Sequence, residues 1–375
     1  MAERTETYPR DRRGYQTGPD LITALGVMGT GVALALLVGQ DIFTLGRSES
    51  CDLRIVDPRV DVRYLAGVHA RLERIQNALA NLRVVDISSG KNDIVFRGEA
   101  SEREFVMGAG DWFEIGDTRY FAQNEEMRLA RPKVAEILGI RDHHAIDELM
   151  IAAVQDSSRP MLLEGEPGTD QERLGRVIHQ ISHRRHNRFH PFSAEAKFDA
   201  AARDALRDAR DGTVLVELHR KGALDPRFVE ALVDPEHKLR LIIAARTSAK
   251  AEASFPVALM NNVKKITIAP LRERTDEIGE LLDKWLIARR SNLRYSKLPE
   301  PVRDALQAYH WRGNLQELRE SADNFAVLAH YRSIHQAIQD SELTRATLRT
   351  WMKRLNLKIK LPLLPPDKEL DKKKG

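Results

Sequence analysis

The chain has 375 residues, 42% hydrophobic and 30% charged, with a formal net charge of +4. That length leaves room for two or three domains with separate cores, and the balance is that of a folded globular protein. So small a net charge does not by itself point to nucleic acid, and a single cysteine, Cys51, excludes both a disulfide framework and an unaided cysteine zinc site.

Residues 1–31 read as a flexible leader, because Met1–Asp20 mixes acids, bases and turn formers. The start also lacks the basic-then-apolar pattern of a secretion signal, so a cytoplasmic location is expected. Leu21–Gly39 carries no charge and reaches the minimum length of a membrane span. Its glycines at 26, 29 and 31, and its continuation into Ile42–Leu45, favour a glycine-rich lead into a buried strand, with no membrane partner.

From Val32 to Ala130, short β-rich runs alternate with turns: VALALLV, DIFTLG, DLRIV, GVHARLERI, LRVVDI, DIVFRG and DWFEIGDTRYFA. This pattern predicts a β-sandwich over 32–130. Within it, Gly46-Arg47-Ser48, His69-Ala70-Arg71-Leu72, Asp86-Ile87-Ser88-Ser89-Gly90 and the turn at Gly108 and Gly110 resemble a forkhead-associated (FHA) domain. The resemblance implies end loops that bind phosphothreonine peptides. Arg47 would contact the phosphate, with Ser48, Ser89 and Asn92 beside it. A guanidinium fork suits that chemistry. The chain departs from the family at Ala66, where a phosphate-binding serine is expected, and at Lys91-Asn92, where Asn-Gly is expected. His69 implies a loop brace. Two readings stay open, a retained phosphopeptide site and a sandwich that docks protein without phosphate.

Lys133–Val154 reads as helix, broken near Gly139. Met161-Leu162-Leu163 then leads into the turn Gly165-Glu166-Pro167-Gly168 and a helix whose Leu174, Val177, Ile178 and Ile181 share one face. Strand, glycine turn and helix make the frame of a phosphate-binding P-loop. The candidate nucleotide site is Gly165, Gly168, Thr169, Asp170, Gln171, Glu172 and, from a later strand, Glu217. Asp170 and Gln171 stand where a P-loop has a glycine and the phosphate-neutralising lysine. An aspartate adds repulsion and glutamine supplies no cation. At a helix start, the Asp170 carboxylate is expected to satisfy free N–H groups.

Thr213–Leu218, Leu239–Ala245 and Val263–Ile268 predict further buried strands of a mostly parallel sheet. Together with Pro270–Arg274 (PLRER) and Trp311–Leu318 (WRGNLQEL), these blocks resemble the AAA+ module of sigma-54 activators, from Leu138 to Ala329. The expected division is an α/β core over 131–270 and a helical lid over 271–332. Against the family, Glu217-Leu218 replaces the Walker B Asp-Glu, so no acid polarises water. The segment from Phe192 to Asp211 is too short for the GAFTGA loop. Val257-Ala258-Leu259-Met260-Asn261 replaces the trans-acting arginines, and Gln316 the second-sensor arginine. The expectation is therefore no catalytic residue and no bound nucleotide or other cofactor. His179, His183, His186 and His190 recur at helical spacing, but Arg184, Arg185 and Arg188 would repel a cation, so no metal is expected.

In Leu343–Leu357, Leu348, Trp351, Met352 and Leu355 form an apolar stripe and leave Arg345, Thr347, Arg349, Thr350, Lys353 and Arg354 outward. This resembles the recognition helix of a Fis-type helix-turn-helix over 333–360, with a preceding helix near Ile334–Ile338, and implies contact with DNA phosphates and base edges. The competing reading is a closing amphipathic helix with a solvated face. Residues 361–375 read as a disordered basic tail.

The expected fold is thus multi-domain: an all-β sandwich, an α/β parallel-sheet core with a helical lid, and a small helical C-terminus. The expected function is a non-catalytic transcriptional regulator of sigma-54-activator ancestry. Its partners would be a phosphothreonine or other docking protein, DNA, and a second copy or an AAA+ relative. A scaffold or adaptor without DNA binding is the alternative.

Overall fold

The computed structural model describes residues 20–75, 80–89, 93–100, 103–193, 198–218, 224–331, 336, 339, 344–357, 359 and 363. Two sheets face each other across one apolar core in the N-terminal part. One runs β2 (Val32–Ala35), β1 (Ile22–Val27), β11 (Thr118–Asn124), β10 (Trp112–Ile115), β7 (Val95–Phe96), β8 (Glu99–Ala100). The other runs β4 (Leu53–Arg54), β3 (Ile42–Gly46), β5 (Ala70–Arg74), β6 (Asn81–Asp86), β9 (Glu104–Gly108). Neighbours are antiparallel except β3 and β4. Leu25, Phe43, Leu45, Leu72, Val84, Met107, Phe113 and Tyr120 fill the space between the sheets. These sheets resemble an FHA sandwich, as the loop motifs imply.

The apolar stretch 21–39 is not a lead but a hairpin. Ile22–Val27 pairs with β11 on one side and with Val32–Ala35 on the other, so the sandwich begins ten residues before the expected start at 32. β1 is buried on nearly every residue, which is why it shows no alternation. Among the described residues no helix is long and apolar enough to cross a membrane.

The sandwich passes directly into helix. Asn124 ends β11, and its side chain accepts from Met127 N at 2.9 Å, capping α1 (Glu125–Leu138). α2 (His143–Gln155) follows the break at Gly139. The β1–β2 turn rests on α2, where Gly29 N donates to Asp147 Oδ2 at 2.9 Å. Asp147 is also paired with Arg131.

The second domain is a parallel five-stranded sheet in the order β13 (Phe189–Ser193), β14 (Thr213–Glu217), β15 (Arg240–Ala245), β12 (Met161–Glu164), β16 (Lys264–Thr267). α3 (Gln171–Ile181) packs on one face. On the other lie α4 (Ala200–Asp208), α5 (Pro226–Val233) and α6 (Ser248–Glu252), with α7 (Val257–Asn261) alongside. The strand FHPFS was not anticipated; Pro191 lacks a ladder donor, and the strand tolerates it at the sheet edge. The lid comprises α8 (Ile278–Ala288), α9 (Glu300–Ala308) and α10 (Asn314–Leu328), and α11 (Arg345–Arg354) packs onto it.

Candidate functional site

β12 is buried between β15 and β16, so its C-terminal end delivers the loop 165–170 to the edge of the sheet where α3 begins. Gly168 has φ +83°, and a Cβ there would lie 2.2 Å from the Gly313 carbonyl oxygen. Glycine is needed both for that backbone and for the closeness of the lid. The lid turn before α10 sits on the loop: Gln316 N donates to Gly168 O at 3.2 Å and Asn314 Nδ2 to Pro167 O at 3.0 Å. Arg272 forks onto Glu166 at 2.6 and 2.9 Å. Gly165 N donates to Ala245 O, and the fully buried Thr169 donates its hydroxyl to Glu166 O at 2.8 Å.

Gln171 is 4% exposed and folds back beneath the loop. Its Nε2 lies 2.9 Å from Leu163 O, 3.2 Å from Gly165 O and 3.1 Å from Ala245 O. Every one of these partners is a main-chain carbonyl of a strand end or the loop itself. The amide therefore ties the loop to β12 and β15 and presents no charge to an anion.

Asp170 departs from its expected role. It sits at the N-cap position of α3 in the left-handed conformation, φ 65° and ψ 34°, and makes no side-chain capping bond. The carboxylate turns to arginines instead. Arg319 of α10 approaches Asp170 Oδ2 at 2.5 Å through Nη2, and Arg173 approaches the same oxygen at 3.3 Å. An ion pair displaces the cap because a charged fork outbids neutral N–H groups for a carboxylate.

Three residues not anticipated complete this cluster. Glu136 of α1, 1% exposed at its side chain, is paired with Arg173, with Lys284 Nζ at 2.7 Å and with Arg319 at 3.3 Å, and it accepts from Trp285 Nε1 at 3.2 Å. Burial alone would raise its carboxyl, but the bonds and charges of Arg173 and Lys284 outweigh that and hold it at about 2. Two signals in the sequence could have exposed the cluster: an acid set among Val134, Ile137 and Leu138, and an arginine one helical turn beyond Gln316.

The remaining members of the predicted nucleotide set separate. Glu172 points along α3 to Arg176 at 2.6 Å, an i,i+4 pair. Glu217 ends β14, half-buried, while the next residue, Leu218, is buried. Val257, the first residue of the segment 257–261 expected to lack the trans-acting arginines, is 73% exposed. The four histidines do not share a helix. α3 stops at Ile181, His183 and His186 lie in the following turn, and His190 is on β13. His179 is buried with Nδ1 2.9 Å from Thr213 Oγ1.

At one end of the sandwich, three loops meet through backbone bonds. Arg47 N donates to Ala66 O, Ser48 N to Gly67 O at 2.9 Å, His69 N to Leu45 O at 2.8 Å and Ile87 N to His69 O at 3.0 Å. His69 is fully buried and its Nδ1 accepts from Ala66 N at 3.0 Å, the brace the resemblance implies. Arg47 is exposed above this joint, and Ser48 Oγ lies 2.9 Å from Ser50 Oγ. Ser89 is exposed with φ 60°, following Ile87 on the same loop. Asn92 lies outside the described residues.

α11 carries the expected apolar stripe, and the lid is what that stripe packs against. Leu348, Trp351 and Leu355 are buried against the lid, and the Phe325 and Trp351 rings meet edge to face at 5.1 Å. Arg354 is held by Glu317 at 3.0 Å, and the Thr347 hydroxyl lies 2.8 Å from that of Thr344, whose side chain caps the helix. Arg349, Thr350 and Lys353 are exposed. The side chain of Arg345 and, apart from residue 336, the preceding helix near Ile334–Ile338 fall outside what is described.

Residues 272–351 match the AAA+ ATPase lid domain family, so the match runs through the lid and into α11. The Nif-specific regulatory protein of Azorhizobium caulinodans is 25% identical over 255 residues, covering 56% of this chain and 42% of that protein. The chain spans about half the length of the curated relatives it matches. The ADP complex of NtrX from Brucella abortus aligns over 66% of this chain and 61% of that one, with 18% identity and a TM-score of 0.45. The FHA domain of CT664 from Chlamydia trachomatis aligns over 27% of this chain and 95% of that one, with 19% identity and a TM-score of 0.23.

Proposed function

We propose, from an FHA-type sandwich joined to an AAA+ activator-type core and lid, that this chain is a regulator that does not hydrolyse ATP. It receives a phosphothreonine or other docking protein at the Arg47 end of the sandwich. Its C-terminal half then acts on DNA through Arg349, Thr350 and Lys353, or on a second copy or an AAA+ relative, in the cytoplasm. The observation that carries this reading is the placement of Gln171, whose amide is engaged by Leu163, Gly165 and Ala245 carbonyls where a phosphate-neutralising cation is required. Leu218 supports it, since a buried alkyl group cannot polarise water. The test is phosphate release by the full chain with magnesium and ATP. Release at background supports the reading, and turnover that is lost in Glu217→Gln overturns it.

One set of contacts favours a second reading, a scaffold without DNA binding. The lid claims the apolar stripe of α11 and also Arg354, and the lid family match extends to residue 351. A helix so committed keeps a narrower cationic face than a recognition helix. A mobility shift with duplex DNA at several salt concentrations separates the two readings.

A further inference from the structure

We propose that the lid of this chain is latched to its core by an internal ion cage, so that lid position is set by Asp170, Glu136 and Arg319 and not by nucleotide. The inference deepens the non-hydrolysing reading and rests on it. The core supplies two carboxylates: Asp170 from the start of α3, and Glu136, buried at the end of α1. The lid supplies Arg319 from α10, which touches both, and Lys284 and Trp285 from α8, which close on Glu136. The Arg319 guanidinium also lies over the Trp285 ring, 4.9 Å from its centre. Arg173 joins the two carboxylates from the core side.

The chemistry of the loop explains why such a cage belongs there. A half-buried guanidinium beside the loop needs an anion, and the mouth of a working P-loop is where phosphates sit. Here the anion is covalently part of the loop. Asp170 sits in the left-handed region, which aspartate tolerates better than most residues, and its carboxylate meets Arg319 while making no capping bond to the α3 amides. Because this ligand cannot dissociate, closure has no concentration dependence. A second contact shell, Gln316 to Gly168 and Asn314 to Pro167, holds the same two bodies from the turn side.

The experiment measures the separation of spin labels at Gln180→Cys on the core and Glu300→Cys on the lid, both exposed positions, in a Cys51→Ala background. Nucleotide-free protein is expected to give one narrow distance, unmoved by MgATP or MgADP. Asp170→Asn and Arg319→Met are each expected to at least double the width of the distribution. A distance that shifts on nucleotide addition overturns the latch, and so does an unchanged width in both variants. Should one variant fail to fold, the other decides, with Lys284→Met, which removes a lid cation from Glu136, in reserve: a broadened distribution supports the latch and an unchanged one overturns it. Phosphate release from the same samples keeps the two ideas apart: turnover with an unmoved distance defeats the non-hydrolysing reading alone, and a moved distance without turnover defeats the latch alone.

Discussion

The indole Nε1 of Trp351 donates to Ser321 Oγ at 3.0 Å, and Ser321 Oγ in turn donates to Glu317 O at 2.9 Å. A residue of the C-terminal helix is thus wired into the middle of the longest lid helix, and Glu317 also holds Arg354. Trp351→Ala removes a buried ring and leaves a cavity against Phe325. Loss of about 3 kcal/mol of unfolding free energy is expected, typical of a large aromatic truncated in a core. Urea unfolding of the full chain checks this, and a loss within about 0.5 kcal/mol would show that α11 does not pack on the lid.

The exposed side of the same helix makes a different prediction. Arg349→Ala with Lys353→Ala leaves the Trp351 stripe untouched, so the fold should persist. If the helix contacts DNA, affinity falls and the plot of log affinity against log salt becomes shallower by about 2, one unit for each phosphate contact removed. Unaltered DNA binding in the pair removes the recognition-helix assignment, and no DNA binding by the parent chain favours the scaffold.

What could be read in the sequence depended on how local its cause is. The P-loop frame was legible because the turn at Gly165–Gly168 and the spacing of Leu174, Val177, Ile178 and Ile181 are settled within a few residues. The alternating strands of the sandwich were legible for the same reason. β1 was not, because a strand buried on both faces lacks alternation, and Gly26 with the turn glycines 29 and 31 imitates a linker. The fate of Asp170 was not legible either. A carboxylate at a helix start has a good local partner in the amides, and it is drawn from them by Arg319, 149 residues further along the chain. α11 repeats the point: its apolar stripe was visible, but only the lid shows that Arg354 is committed.

Glu136 gives the cage a pH dependence of known sign. Its folded value, about 2, lies below the unfolded value of about 4.3, so ionised Glu136 stabilises the native state above that unfolded value. The contribution disappears as pH falls from about 4.3 through about 2. Glu136→Gln removes it at every pH and leaves Arg173, Lys284 and Arg319 with one fewer anion, a cost of about 3 kcal/mol near neutrality. Chemical unfolding at about pH 7 and about pH 3 should show the gap between the two proteins narrowing in acid. Parallel stability profiles would rule out Glu136 as the titrating group.

Arg47 is exposed and its backbone bond to Ala66 does not involve the guanidinium. Arg47→Ala should therefore leave thermal unfolding unchanged while abolishing calorimetric heat on titration with a phosphothreonine peptide. Equal binding of phosphorylated and unphosphorylated peptide by the parent protein would favour docking without phosphate.

Gln171 supplies the most direct probe of the altered loop. Gln171→Glu conserves size but replaces an NH2 by an oxygen, which then faces the carbonyls of Leu163, Gly165 and Ala245. Three acceptors would meet a fourth inside a site only 4% exposed, and protonating the new carboxyl returns one donor where the amide had two. A loss of about 3 kcal/mol is expected, the upper range for unsatisfied buried polar groups. Gln171→Lys differs in sign of charge and restores a donor to the same carbonyls, so it should fold. It should still bind MgATP no better than the parent, because Asp170 and Glu136 keep Arg319 and Arg173 engaged. Only the further change Asp170→Gly removes the carboxylate from the loop, leaving the two arginines to Glu136 alone, and permits the glycine backbone of a phosphate cradle. Equilibrium binding of a fluorescent ATP analogue to the single and double variants checks the order. Tight binding by Gln171→Lys alone would mean that the missing lysine, and not the Asp170 carboxylate, is what keeps nucleotide out.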